Sequence, residues 1–297
     1  MTTNPKYFEL SLAHISLAAV QYGDSDKPVI LALHGWLDNL NSFIPLAEQF
    51  QLHGMFDTHQ LICIDWPGHG FSDHRPGQYP LHWVDYIYDL HSVVNHYKSQ
   101  DFTVSIVGHS LGGIVAAAYN AAFADQINKL ILIEAISPLF EEEQKVARRL
   151  QRGVSTHFEF TTKQTKQLSP RYFDKHSAIL ARHKLTQLDV NWCELITERN
   201  ITVSDDGSCW RSDPRLRLDS VNRLSFAQVE QLMNSTGTPS LLIVGNRGYK
   251  QLKSLLPKAV RWFTDIETVT LEGDHHLHMG CAESVAIHIR AFILKPD

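Results

Sequence analysis

Gly108-His109-Ser110-Leu111-Gly112 is the stretch on which the reading of this chain turns. It follows Phe102-Thr-Val-Ser-Ile-Val107, an apolar, β-branched run that predicts a buried strand. It precedes Gly113-Ile-Val-Ala-Ala-Ala-Tyr119, a small-residue run that predicts a tightly packed helix. A serine in the pattern G-x-S-x-G, between strand and helix, stands on a sharp, strained turn that exposes its hydroxyl. Gly108 and Gly112 let that turn close without Cβ clashes, and His109 fills the variable position between Gly108 and the serine. The five residues alone would also fit a turn with an idle serine. The surrounding sequence has to decide.

Strand and helix alternate on both sides of the elbow. Tyr7 to Tyr22 predicts an antiparallel hairpin. Val29–Leu33, Leu61–Ile64, Lys129–Ile133, Ser240–Val244 and Glu267–Leu271 predict strands. Helices are expected over Ser42–Leu52, Leu81–Tyr97 and Lys250–Val260, with a last one from about Ala282. This rhythm predicts an α/β fold with a mostly parallel central sheet and helices on both faces. The stretch 138–225 breaks it, being charged and mainly helical in pattern (Glu141–Arg152, Pro170–Lys184). Ile201–Val203 and Cys209–Leu218 predict a short hairpin around Asp205-Asp-Gly207. The expectation is a core of residues 1–137 and 226–297 with an inserted cap, or lid, at 138–225. Such a cap would sit over the carboxyl edge of the sheet, where open α/β sheets bind ligands.

Composition narrows the function. The 297 residues are 43% hydrophobic and 20% charged, enough for one large core. A net charge of -5 gives no reason to expect nucleic acid or an anionic membrane surface as a partner. The start Met1-Thr-Thr-Asn-Pro-Lys6 lacks a signal pattern, and no apolar run approaches a membrane span, so no membrane insertion is expected. Cys63, Cys193, Cys209 and Cys281 are scattered, which reads as reduced thiols in a cytoplasmic protein. Oligomeric state leaves no mark in the sequence.

A nucleophilic serine needs a base, an orienting acid and oxyanion donors. Val29–Leu33 runs into His34-Gly35-Trp36-Leu37-Asp38, and Gly35 lets the backbone approach a ligand. The base is expected after the last core strand, where Glu272-Gly-Asp-His275-His276-Leu-His278-Met279 offers three histidines. His275 follows the strand and a Gly-Asp turn and can reach back over the sheet edge. His276 and His278 fit the start of the next helix and its packing. A metal reading of the triplet lacks a carboxylate from elsewhere in the chain.

Four motifs together resemble an α/β-hydrolase-fold serine hydrolase: His34-Gly-Trp36, Asp65-Trp-Pro-Gly-His-Gly-Phe-Ser72, Gly108-His-Ser-Leu-Gly-Gly113 and Gly273-Asp-His-His-Leu-His-Met279. Within that superfamily, Trp210-Arg-Ser-Asp-Pro-Arg-Leu216 and the His275-x-x-His278-Met279 ending are most similar to the serine hydrolase-like proteins. The resemblance implies Ser110 as nucleophile, His275 as base, and the backbone amides of Trp36 and Leu111 as the oxyanion hole. It implies a structural role for His34, Asp65 and His69.

The acid departs from the commonest pattern. Many relatives carry an aspartate just beyond the strand that here is Leu241–Val244, but this chain reads Gly245-Asn-Arg-Gly-Tyr249 there, with no carboxylate before Asp265. Glu134, at the end of Leu-Ile-Leu-Ile133, lies at the catalytic edge and between Ser110 and His275 in sequence. The serine hydrolase-like proteins resemble this arrangement, usually with the shorter aspartate. Glu134 is therefore the expected acid; otherwise it braces the elbow and Ser110–His275 works alone. Asp274 is poorly placed to face its neighbour His275. The expected reaction is cleavage of a carboxylic ester or related acyl bond of a small molecule through an acyl-enzyme, with no cofactor and no metal. Cofactor-free haloperoxidase-like chemistry, carbon–carbon bond hydrolysis and a non-catalytic ligand-binding relative are the alternatives.

Overall fold

The computed structural model describes residues 4–164, 172–234 and 237–296. Its strands are β1 (Lys6–Ser11), β2 (Ser16–Tyr22), β3 (Val29–Leu33), β4 (Gln60–Ile64), β5 (Val104–His109), β6 (Leu130–Ile133), β7 (Ile201–Ser204), β8 (Gly207–Trp210), β9 (Ser240–Gly245) and β10 (Ile266–Leu271). Its helices are α1 (Ile44–Leu52), α2 (Asp85–Lys98), α3 (Leu111–Ala122), α4 (Val146–Gln164), α5 (Lys175–Thr186), α6 (Val190–Asn200), α7 (Phe226–Met233), α8 (Lys250–Ala259), α9 (Leu277–Gly280) and α10 (Ala282–Ile293).

Eight strands make one sheet in the order β1-β2-β4-β3-β5-β6-β9-β10, while β7 and β8 pair separately. β2 is antiparallel to β1 and β4. The remaining neighbours are parallel. Burial explains the sequence patterns. β3, β4, β5, β6 and β9 are buried at every position, as strands covered on both faces must be, whereas the edge strands β1 and β10 are partly exposed. Alternate side chains feed two cores. Leu31, Leu33, Ile106, Leu132 and Leu242 pack with residues of α2, α3 and α7, among them Leu90, Val93, Val115, Tyr119 and Val229. Ile30, Ala32, Val107, Ile131 and Ile243 pack with Leu46 and Phe50 of α1 and Val285 and Ile289 of α10.

Several boundaries shift from expectation. β5 runs on to His109, because Gly108 pairs with Leu33 of β3 and His109 with Ile133 of β6. Residues 138–225 add no strand to the main sheet among the described residues. There α4 starts at Val146 rather than at Glu141, whose amide instead bonds the Leu224 carbonyl. α5 starts at Lys175 with Asp174 as its cap; residues 170 and 171, expected to be helical, lie outside the described residues. The expected second strand of the hairpin stops at Trp210. Beyond it Pro214, which has no amide to donate, opens a single helical turn over Pro214–Arg217 capped by Asp213. α6 and α7 were not foreseen, although Asp189 caps one and a Ser225–Gln228 capping box opens the other. Among the described residues no helix is long and apolar enough to cross a membrane.

Candidate active site

Six parallel strands end along one edge of the sheet, and their loops follow in spatial order β4, β3, β5, β6, β9, β10. Register puts the ends side by side: Leu33 opposite Gly108, His109 opposite Ile133, and Ile133 opposite Ile243. Ser110 and Glu134 are thus the first residues beyond adjacent strands, which lie about 4.8 Å apart in a sheet. Both have left-handed backbone, φ 49° at Ser110 and φ 53° at Glu134. Neither is a glycine, and each such conformation costs roughly 1–3 kcal/mol unless the surroundings impose it. Here they do. The Ser110 amide donates to the Ile133 carbonyl at 3.0 Å and the Glu134 amide to the Ile243 carbonyl at 3.0 Å.

Glycines make the elbow possible. A Cβ on Gly112 would lie 2.0 Å from the Leu33 carbonyl oxygen, and one on Gly108 would lie 2.7 Å from the Gly112 backbone. The close approach lets the Gly112 amide donate to the His34 carbonyl at 3.1 Å, docking the start of α3 against the 34–36 loop. Gly35 is crowded from the protein side, because a Cβ there would meet Asp38 Oδ2 and His109 Nδ1 at 3.0 Å. Trp36, Ser110 and Leu111 line one cavity of about 780 Å³. The Trp36 indole N–H donates to the Leu216 carbonyl at 2.9 Å, so this ring meets the 214–217 turn.

The carboxylate of Glu134 reaches into the turn after β9, the turn that lacks an aspartate. Its Oε1 accepts from the Gly245 amide at 2.8 Å and its Oε2 from the Tyr249 amide at 3.1 Å. Gly248 leaves the necessary space, since a Cβ there would sit 2.1 Å from Oε1. The same Oε2 faces His275 Nδ1 at 3.3 Å, and the Tyr249 ring packs on the imidazole with centroids 3.9 Å apart. A carboxylate can only accept, so Nδ1 carries a proton towards Glu134 and Nε2 is the nitrogen turned to other partners. Asp274 is engaged locally, accepting from the His276 amide at 2.8 Å.

His109 supports this loop. Its Nε2 donates to the His275 carbonyl at 2.8 Å. Burial and the neighbouring His278, His275 and His276 rings hold His109 well below the usual imidazole range, so it is neutral. The three loop histidines all pack against the His109 ring but take different partners. His275 faces Glu134, His276 faces Asp38 at 3.4 Å, and His278 packs between His109 and Phe43. Burial pushes His278 down to about 3. Among the described residues no three His, Cys, Asp or Glu side chains are grouped as a metal would need.

The residues expected to be structural make structural bonds. His34 Nε2 accepts from the Trp66 amide at 3.0 Å, and His69 Nε2 accepts from the Leu37 amide at 3.2 Å. Burial lowers His34 to about 3 and His69 to about 4. Asp65 accepts from the Leu40 and Phe71 amides and from Arg199 Nε, each at 2.8 Å. Sequence reading missed the ties from residues 182–200: Arg182 to Asp38, Asn200 to the Leu37 carbonyl, and Asn39 to the Ile196 carbonyl at 2.8 Å. Those contacts join positions more than a hundred residues apart, for which a single sequence holds no signal.

The strand order, the elbow and the supporting glycines agree with the comparison that decides the family. The family described as alpha/beta hydrolase fold matches residues 28–191, more than half of the chain. The chain belongs to that family. This α/β hydrolase is 28% identical to the serine hydrolase-like protein of Mus musculus over 313 aligned positions, covering 96% of this chain and 95% of the mouse protein. It is 24% identical to the serine hydrolase-like protein of Danio rerio, with 92% and 83% covered. A crystal structure of a hypothetical protein from Pseudomonas aeruginosa PAO1 superposes with a TM-score of 0.83 at 28% identity, covering 98% of this chain and all of that one.

Proposed function

We propose that this α/β hydrolase cleaves a carboxylic ester or related acyl bond with Ser110 as nucleophile, His275 as base and Glu134 as the orienting carboxylate. The observation that carries the reading is the double amide cradle of Glu134, which presents Oε2 to His275 Nδ1 at 3.3 Å on the edge that carries Ser110. His275 Nε2 takes the Ser110 proton as Oγ attacks the carbonyl carbon. The amides of Trp36 and Leu111 receive the oxyanion, helped by the positive end of α3. The imidazolium, held by Glu134, returns the proton to the leaving group. Water then attacks the acyl-enzyme by the same route and frees Ser110. Residues 138–225 act as a cap, since Pro138–Phe140 and Leu216–Ser220 share the cavity wall with Ser110.

The test is labelling with a fluorophosphonate probe followed by turnover of p-nitrophenyl esters of increasing chain length. Wild type is expected to form one adduct at Ser110, and Ser110→Ala to form none. An unlabelled wild type, or equal labelling of Ser110→Ala, would sink the reading in favour of a ligand-binding relative.

A further inference from the structure

The lining of the cavity at Ser110 is of two kinds: Leu81, Ile114, Ile136, Leu252 and Leu255 are apolar, and the segment 215–223 brings arginines. Three carboxylates on or beside that segment are already engaged. Asp213 Oδ2 holds Arg215 Nη2 at 2.6 Å, Asp219 holds Arg152 at 2.5 Å, and Glu141 takes both Nε and Nη2 of Arg149. Arg215 is further spent on the backbone carbonyls of Arg75, Gly77 and Tyr79. Arg217 and Arg223 remain. Both line the cavity, and among the described residues neither lies within ion-pair distance of a carboxylate. The Arg217 guanidinium lies 5.1 Å from the Trp210 ring centroid, a contact that leaves its N–H edges available. Arg223 feels Arg149 as a like charge and Glu141 and Asp219 as attractive ones. Burial works against the charge of the half-buried Arg223, whereas Arg217 is exposed.

One exposed and one half-buried, these two cations have no ion-paired carboxylate among the described residues and border a largely apolar cavity, where an anionic group would complete both. We propose that Arg217 and Arg223 form a subsite for a carboxylate or phosphate group of the substrate, so that the preferred acyl substrates carry a negative charge remote from the scissile carbonyl. This rests on the serine-hydrolase reading above. The guanidinium fork matches both anions, which can come from either end of the substrate: the acyl chain of a dicarboxylic half-ester, or a phosphorylated leaving group.

The experiment compares kcat/KM within two pairs. Mono-p-nitrophenyl adipate against p-nitrophenyl hexanoate tests an anion on the acyl side. Hexanoyl phosphopantetheine against hexanoyl pantetheine tests one on the leaving side. At least one charged member is expected to lead its neutral partner by about tenfold, as a charge-assisted contact supplies, and to lose that lead at high salt. The ratio should fall towards one in the double variant Arg217→Gln/Arg223→Gln and partly return in Arg217→Lys/Arg223→Lys. Neutral preference in both pairs, or a charged preference that survives the glutamine variant, overturns the subsite. Fluorophosphonate labelling of Ser110 separates the two ideas, because an adduct without anionic preference removes only the subsite. Titration of monomethyl adipate into Ser110→Ala protein needs no turnover. About tenfold weaker binding on adding the two glutamines supports the subsite, and equal binding overturns it.

Discussion

The sheet edge that carries Ser110, Glu134 and His275 and the 138–225 layer are held by different kinds of contact. At the edge the backbone packs against itself. Gly108, Gly112 and Gly248 have no room for a Cβ, and the strained residues Ser110 and Glu134 are fixed by hydrogen bonds from their amides to carbonyls at the neighbouring strand ends. The layer is attached mainly by side chains, Arg182 to Asp38, Arg199 to Asp65, and Asn39 and Asn41 to the carbonyls of Ile196 and Leu195, beside a backbone bond from the Asp213 amide to the Gly68 carbonyl at 2.8 Å. Backbone contacts allow one geometry. Side-chain contacts can be exchanged singly, so the layer tolerates replacements that the edge does not.

The largest effect should come from the edge. Glu134→Gln leaves the shape but removes the charge that faces His275, and by analogy with a mispaired triad ester turnover should fall by about 10⁴-fold. Turnover within tenfold of wild type would show that Ser110 and His275 work as a pair. Gly112→Ala drives a methyl into the Leu33 carbonyl, 2.0 Å away, and should lower stability by more than ~3 kcal/mol in denaturant unfolding. The control is Gly280→Ala, whose Cβ meets nothing within 4 Å, and its midpoint should stay near wild type. Arg182→Ala strips the buried Asp38 of a cation and should cost about 3 kcal/mol. A loss within about 1 kcal/mol would show that Asp38 is compensated without Arg182.

Acid tests the sheet edge through its buried histidines. Burial lowers His278 and His34 to about 3 and His69 to about 4 from a usual value of 6.5. Below that value the unfolded chain binds protons that the folded chain refuses. Stability should therefore drop as pH falls from about 6.5 towards 4, by up to about 1.4 kcal/mol per pH unit for each such histidine. Burial works against ionisation of Asp38, yet His276 and Arg182 hold it well below the usual carboxylate value, so its contribution is lost in the same direction at still lower pH. A melting temperature that is flat from pH 7 to 4 would show these rings to be hydrated rather than sealed in.

What could be read in advance followed local rules. The strands were legible because burial on both faces demands unbroken apolar runs such as Val29–Leu33 and Leu130–Ile133. Glu134 was legible as a candidate because a carboxylate closing a buried strand has few uses. Its cradle was not, since the Gly245 and Tyr249 amides and the gap at Gly248 come from a strand more than a hundred residues later. The end of the hairpin was misread because Cys209–Leu218 looks strand-like until Pro214 and its cap Asp213 are given their due.

The sequence by itself determined the alternation that makes the sheet, the elbow at Ser110 and the order of the candidate groups along the chain. Each depends on neighbours within a few residues. Only the tertiary structure decided that the Glu134 carboxylate lies in the turn after β9, that it meets His275 Nδ1 there, and that Arg217 and Arg223 border the cavity with no ion-paired carboxylate among the described residues. Those are relations between distant segments, fixed by strand register and close packing, and no local pattern encodes them.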